Sequence, residues 1–215
     1  MTRKPYLFHL NKIYVFSNKF DRKSTLTNLN PQQLYKSMEM EFSKGKIVFN
    51  RELSDLDRFV INFVDMLNSC KIRYVIVSGY VSILFGRSRA TEDIDLFIEH
   101  ISRKGFDEFI RVVEEKGMWA LNSTDNMELY SMLEDNLAIR IAEKEKAIPN
   151  FELKFPKKDT DFFSLDKPIK VVINHKEILI SPIEMQIAYK LYLGGDKDIE
   201  DAVHVYQIFK GKLDK

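Results

Sequence analysis

The fold is decided by residues 78–99, SGYVSILFGRSRATEDIDLFIE. Near its end Asp93 and Asp95 alternate with Ile94 and Leu96, and a strand sends both carboxylates to one face and both apolar side chains to the other. Two carboxylates held so close repel each other unless a cation lies between them. Magnesium suits such a pair, because it takes oxygen ligands and completes its shell with water and substrate phosphates. Alternating acids alone are commonplace on the solvent face of an edge strand, so the weight falls on what precedes them. Tyr74 to Val77 is β-branched and aromatic and reads as a buried strand. Ser78-Gly79 ends it and opens one or two helical turns over residues 81–85. Backbone N–H groups at a strand-to-helix junction can hold a phosphate, and Gly79 lets a triphosphate approach closely. Arg89 and Thr91, at alternate positions before Asp93, place a guanidinium and a hydroxyl near the same pocket, which suits an anionic substrate.

Outward from this segment the chain is ordered on both sides. Upstream, Ser54 is placed to cap a helix in which Leu56, Phe59, Val60, Phe63, Val64 and Leu67 form one stripe. Downstream, Phe106, Phe109, Ile110 and Val113 mark an amphipathic helix that Gly117 ends. Strands are expected over 137–141 and 151–155, then a hairpin of 169–173 with 177–180 around Asn174-His175. Pro182 is placed to begin a helix through Leu193, Gly194-Gly195 breaks it, and a last helix covers 197–209. The expected fold is α/β, a mixed sheet with helical cover and C-terminal helices at about 182–211. Residues 51–215 are read as one domain and 1–50 as an appendage of unassigned role, with aromatic-apolar runs at 6–10 and 13–16 but no clear period.

Composition narrows the class. Of 215 residues, 45% are hydrophobic and 30% charged, the balance of a globular chain with a substantial core. Lysine plus arginine (33) nearly cancel aspartate plus glutamate (32), so overall charge gives no reason for attraction to nucleic acid or an anionic membrane. Cys70, the one cysteine, excludes an intramolecular disulfide and a multi-thiolate zinc site. No signal peptide and no membrane-length apolar run is evident, and a cytoplasmic location is expected.

Gly79, thirteen intervening residues and Asp93-Ile94-Asp95-Leu96, preceded by Arg89-Ala90-Thr91-Glu92, is similar to the signature of the DNA polymerase β-like nucleotidyltransferase superfamily, and within it resembles the AbiEii-like branch of toxins and minimal nucleotidyltransferases. The resemblance covers about residues 55–211; where the family usually has Gly-Gly or Gly-Ser, this chain has Ser78-Gly79. It implies two magnesium ions held by Asp93, Asp95 and a third acid on a later strand. They would activate the attacking hydroxyl and stabilise departing pyrophosphate. Glu152, between Phe151 and Leu153, is the best third acid, ahead of Asp135 and Glu143. Ser78, Gly79, Arg89 and Thr91 would bind the nucleotide. Glu184, Lys190 and the run Lys197-Asp198-Ile199-Glu200-Asp201 resemble later motifs of the AbiEii-like proteins, with Lys190 on the nucleotide phosphates and Asp198 supporting the site.

The expected function is magnesium-dependent transfer of a nucleoside monophosphate from a nucleoside triphosphate to an acceptor hydroxyl. By the resemblance the acceptor is a tRNA or other RNA end, or a protein residue, and an antitoxin partner or phage-defence setting follows by analogy. Two other readings stay open: a nucleotide- or protein-binding module without turnover, and a small-molecule transferase of the antibiotic-modifying kind. Each side chain also has a plainer reading. Glu152 alone is a surface glutamate, Lys190 and Asp198 are ordinary helix residues, Trp119 and the phenylalanines are core, and His9, His100, His175 and His204 lack metal-ligand spacing. Arg73, Arg87 and Arg89 could form a small basic patch suited to RNA.

Overall fold

A computed structural model describes residues 40–213; the runs at 6–10 and 13–16, and His9, lie outside them. In chain order the elements are β1 (Glu41–Ser43), β2 (Lys46–Phe49), α1 (Asp55–Ser69), β3 (Tyr74–Val77), α2 (Gly79–Leu84), β4 (Asp93–Ile98), α3 (Arg103–Glu115), β5 (Met118–Ala120), α4 (Asn126–Glu134), β6 (Ile139–Glu143), β7 (Asn150–Lys154), α5 (Asp159–Asp166), β8 (Ile169–Ile173), β9 (Lys176–Ile180), α6 (Ile183–Leu193) and α7 (Asp196–Phe209). The strands form one mixed sheet in the order β1-β2-β8-β9-β3-β4-β7-β6-β5. The α/β class with helical cover is therefore observed.

Helix α1 starts where the sequence places it. The Ser54 hydroxyl accepts the Asp57 N–H at 3.1 Å, and the Asp57 carboxylate accepts the Ser54 N–H at 2.8 Å, a reciprocal cap that satisfies two of the helix's orphan donors. Its stripe of Phe59, Val60, Phe63, Val64 and Leu67 is buried. Phe63 stacks on Phe151 of β7 with ring centroids 3.8 Å apart, and Phe109 of α3 meets Phe63 edge-on at 6.1 Å. This packing consumes the face of the sheet that carries Ile94, Leu96, Phe151 and Leu153, all buried. The alternate residues of β4 and β7 must then lie on the other face.

Residues 41–49, read from sequence with the appendage, form the hairpin β1–β2 of this same sheet. β2 runs parallel to β8 with Ile47 opposite Val171, and Ile47 and Phe49 are buried. The sheet therefore extends past the boundary expected at residue 50. In the hairpin of β8 and β9, Asn174 and His175 take positive φ of 47° and 67°, the backbone a two-residue loop demands between twisted strands. Pro182 sits one residue earlier than expected, outside α6, as its cap. Trp119, expected in the core, is 41% exposed because β5 is the sheet's edge strand, and its indole N–H donates to the Lys146 carbonyl. Phe162 and Phe163 of α5 are also exposed. Among the described residues no helix is long and apolar enough to cross a membrane.

Candidate functional site

Strand β4 lies between β3 and β7. It pairs in parallel with β7 in a register that sets Asp93 beside Asn150 and Asp95 beside Glu152. Parallel partners share a face, so the three expected acids come to one side of the sheet, opposite the phenylalanine core. The same alternation brings in two residues that the sequence reading passed over. Lys154 follows Glu152 by two positions, and Arg140 of antiparallel β6 is the register partner of Glu152.

These cations take up both oxygens of Glu152. Arg140 donates to Oε1 through Nε at 2.8 Å with Nη2 at 2.7 Å, and Lys154 donates to Oε2 at 3.1 Å. The Lys154 ammonium also lies 3.4 Å from Asp95 Oδ1, so one charge spans two carboxylates. Burial tends to raise the Glu152 carboxyl, but the hydrogen bonds from Arg140 and Lys154 outweigh it and hold Glu152 below the usual carboxylate range. Asp95 moves the other way. Burial raises it, Lys154 opposes the rise, and the charges of Asp93 and Glu152 add to it. Burial would lower Lys154, yet Asp95 and Glu152 hold it above its ordinary value.

Asp93 is differently placed. It has no ion pair among the described residues, and the Thr91 hydroxyl donates to its carbonyl at 2.8 Å and reaches its Oδ1 at 3.4 Å. Thr91 therefore orients Asp93. Asn150, beside Asp93, spends its amide N–H groups on the carbonyls of Glu92 and Ala147, leaving a buried Oδ1 without a hydrogen-bond partner. Two carboxylates and an orphaned oxygen on one face are the donor chemistry of a hard divalent ion. No group of three His, Cys, Asp or Glu side chains among the described residues is arranged to hold a metal ion. The donors suit one ion at Asp93 and Asp95.

The strand-to-helix junction is held from behind. Ser78 adopts φ 63° and ψ −132°, a backbone that glycine takes freely and serine adopts at a cost. Gln186 of α6 fixes it from both sides: its Oε1 accepts the Ser78 N–H at 3.0 Å and its Nε2 donates to the Ser78 carbonyl at 2.5 Å. Helix α2 is only six residues long, so its dipole is short. The space over Gly79 belongs to Arg89: an ideal Cβ on Gly79 would lie 2.0 Å from Arg89 Nη2. Gly79 thus makes room for a guanidinium, where the sequence suggested room for a triphosphate.

Arg89 also faces α7. Its Nε lies 3.6 Å from Oδ1 of Asp201, as does Nε of Arg87, and Lys190 Nζ is 3.3 Å from Oδ2. Asp201 is fully buried at the centre of these three cations. Lys190, itself 3% exposed, donates to Asp198 at 2.7 Å. The expected pair Lys190 and Asp198 is therefore in contact, and its centre is Asp201, one helical turn beyond Asp198. The three arginines do not form one patch, since Arg73 pairs with Glu99 and Asp166 while Arg87 and Arg89 face Asp201.

A cavity of about 230 Å³ opens beside these groups. Ser78, Asp95, Lys154, Gln186 and Tyr189 line it on the sheet and α6 side, with Lys157 and Lys158 at the start of α5. Its walls thus include one acid of the pair, the serine of the junction and three lysines.

No protein-family model and no curated protein matches this chain. Solved structures do. An antigenic nucleotidyltransferase-like protein from Paracoccidioides brasiliensis matches with a TM-score of 0.50 and 17% identity over 72% of this chain and 76% of its own. ANT(2'')-Ia in complex with adenylyl-2''-tobramycin matches at 0.49 and 13% identity, covering 74% of this chain and 92% of that one. A lincosamide antibiotic adenylyltransferase with lincomycin bound matches at 0.44 and 14%, covering 74% and 99%. The first of these likenesses gives the chain a nucleotidyltransferase fold.

Proposed function

We propose that the protein is a nucleotidyltransferase of the AbiEii-like branch, acting on a nucleoside triphosphate and an acceptor hydroxyl. The observation that carries this reading is the register of β4 on β7, which puts Asp93, Asp95 and Glu152 on one face beside the Ser78-Gly79 junction. In the reaction, the acceptor oxygen bonds to the α-phosphorus and the bond from that phosphorus to the bridging oxygen breaks. Pyrophosphate leaves with the electron pair. The hydroxyl proton passes to a carboxylate of the site. Asp93 and Asp95 would hold magnesium, which when bound draws charge from the phosphate oxygens. Thr91 keeps Asp93 oriented, Gln186 fixes the Ser78 backbone, and Arg89 supplies positive charge over Gly79.

Lys157 and Lys158 on the cavity, beside Asp161, support an anionic acceptor such as an RNA end. A toxin–antitoxin or phage-defence role, and a cytoplasmic location where nucleoside triphosphates are abundant, accompany this reading. One observation favours the alternative of a binding module without turnover: the third acid already carries two cations.

The deciding experiment incubates the protein with magnesium, each labelled nucleoside triphosphate and total RNA, beside an Asp93→Ala/Asp95→Ala control. Label transfer with stoichiometric pyrophosphate release, lost in the control, supports the enzyme. Nucleotide binding without release with any of the four moves the assignment to the binding module.

A further inference from the structure

We propose that Lys154 is a built-in counter-ion that replaces one of the two divalent ions a three-carboxylate site would take, so that this site binds a single ion at Asp93 and Asp95. The inference rests on the nucleotidyltransferase reading and deepens it.

The placement follows from chain geometry. Strand alternation puts Lys154 on the same face as Glu152, and the parallel register brings Glu152 against Asp95. The ammonium therefore arrives between the two carboxylates, 3.1 Å from Glu152 Oε2 and 3.4 Å from Asp95 Oδ1. A second divalent ion shared by Asp95 and Glu152 would need that same space. It would also have to displace Arg140 from Glu152 Oε1 or sit beside both cations, and like charges a few ångströms apart in a half-buried site repel strongly. Asp93, with Thr91 as its hydroxyl partner and the orphaned Asn150 Oδ1 alongside, keeps its charge available for the first ion. Lysine also brings its charge permanently, with no dependence on ion concentration. The lysine thus fixes the number of ions, and Glu152 serves to hold the lysine.

Manganese serves as the probe, titrated into the full chain with each α,β-methylene nucleoside triphosphate analogue in turn while free ion is followed by electron paramagnetic resonance. The expected result is one tight Mn²⁺ in the wild type, and two in Lys154→Met and Lys154→Gln, the second at least tenfold tighter than any second ion in the wild type. The glutamine variant keeps a hydrogen-bond donor in place should the methionine variant fold poorly. Two ions of similar affinity in the wild type, or a single ion in both variants, would overturn the proposal and leave the transferase reading standing. A wild-type titration no different from that of Asp93→Ala/Asp95→Ala would remove both.

Discussion

The guanidinium of Arg89 lies directly over the Cα of Gly79, in the space any larger residue at position 79 would fill. Because the crowded atom is the end of a flexible side chain, Gly79→Ala should displace Arg89 and leave the backbone in place. We expect a stability loss of about 1 kcal/mol, with nucleotide KM rising roughly tenfold as the charge moves, an amount equivalent to about 1.4 kcal/mol. In an Arg89→Ala background the same glycine substitution should be nearly neutral, because the clash is gone. Equal costs in the two backgrounds, measured by urea denaturation, would show that Arg89 does not occupy this space.

Among the described residues Asp201 is the one carboxylate facing Arg87, Arg89 and Lys190 together, and it is fully buried. Asp201→Asn should lower stability by about 3 kcal/mol or more, since removing one partner leaves buried charge uncompensated. Asp198→Asn should cost less, because its side chain is 24% exposed and Lys190 would retain Asp201. Chemical denaturation of the two variants side by side tests the ranking.

What could be read from the sequence follows from how local each signal is. Period-two alternation reveals Asp93, Asp95 and Glu152, because Asp95 and Glu152 sit between apolar neighbours whose burial fixes the face and Asp93 shares that face two residues before Asp95. The same rule applies to Lys154, but a lysine on a strand reads as solvated until the neighbouring strand is known to bring Asp95 to it. Asp201 depends on how α6 and α7 meet after the Gly194-Gly195 break, which no local pattern encodes. The elements missed were those whose pattern contradicts their burial. Helix α4 buries only Leu129 and Leu133, and α5 exposes Phe162 and Phe163 while burying Ser164.

Acid sensitivity should centre on Asp57. Its side chain is 1% exposed and accepts from both terminal nitrogens of Arg51, from Ser54 and from the Tyr80 hydroxyl, tying the start of α1 to the residue after Gly79. Burial tends to raise its carboxyl, but these hydrogen bonds outweigh it and hold Asp57 below its ordinary value. A group lowered in the folded state stabilises fully above its unfolded pKa, about 3.9, and loses that contribution as pH falls through the lower folded value. Asp57→Asn should therefore cost about 3 kcal/mol at pH 7 and progressively less below about pH 4. A cost that stays constant between pH 7 and pH 3 in urea titrations would contradict this.

Neighbouring Asp95 and Glu152 should respond to neutralisation with opposite signs. Burial, reinforced by Asp93 and Glu152, makes ionised Asp95 unfavourable in the fold despite Lys154, so its charge is held at the expense of stability. Asp95→Asn should then raise the melting temperature of the metal-free protein while lowering label transfer by about a thousandfold, the order expected when a group acting on the developing charge is removed. Glu152 is held ionised by Arg140 and Lys154, so Glu152→Gln removes a stabilising charge and should lower the melting temperature. Its effect on transfer should be smaller, because the glutamine leaves Asp95 and Asp93 in place. A common direction of shift for the two variants would mean that Lys154 favours both carboxylates alike. An ammonium closer to Glu152 than to Asp95 should instead stabilise Glu152 more, which ties the stability signs to the geometry of that one bridge.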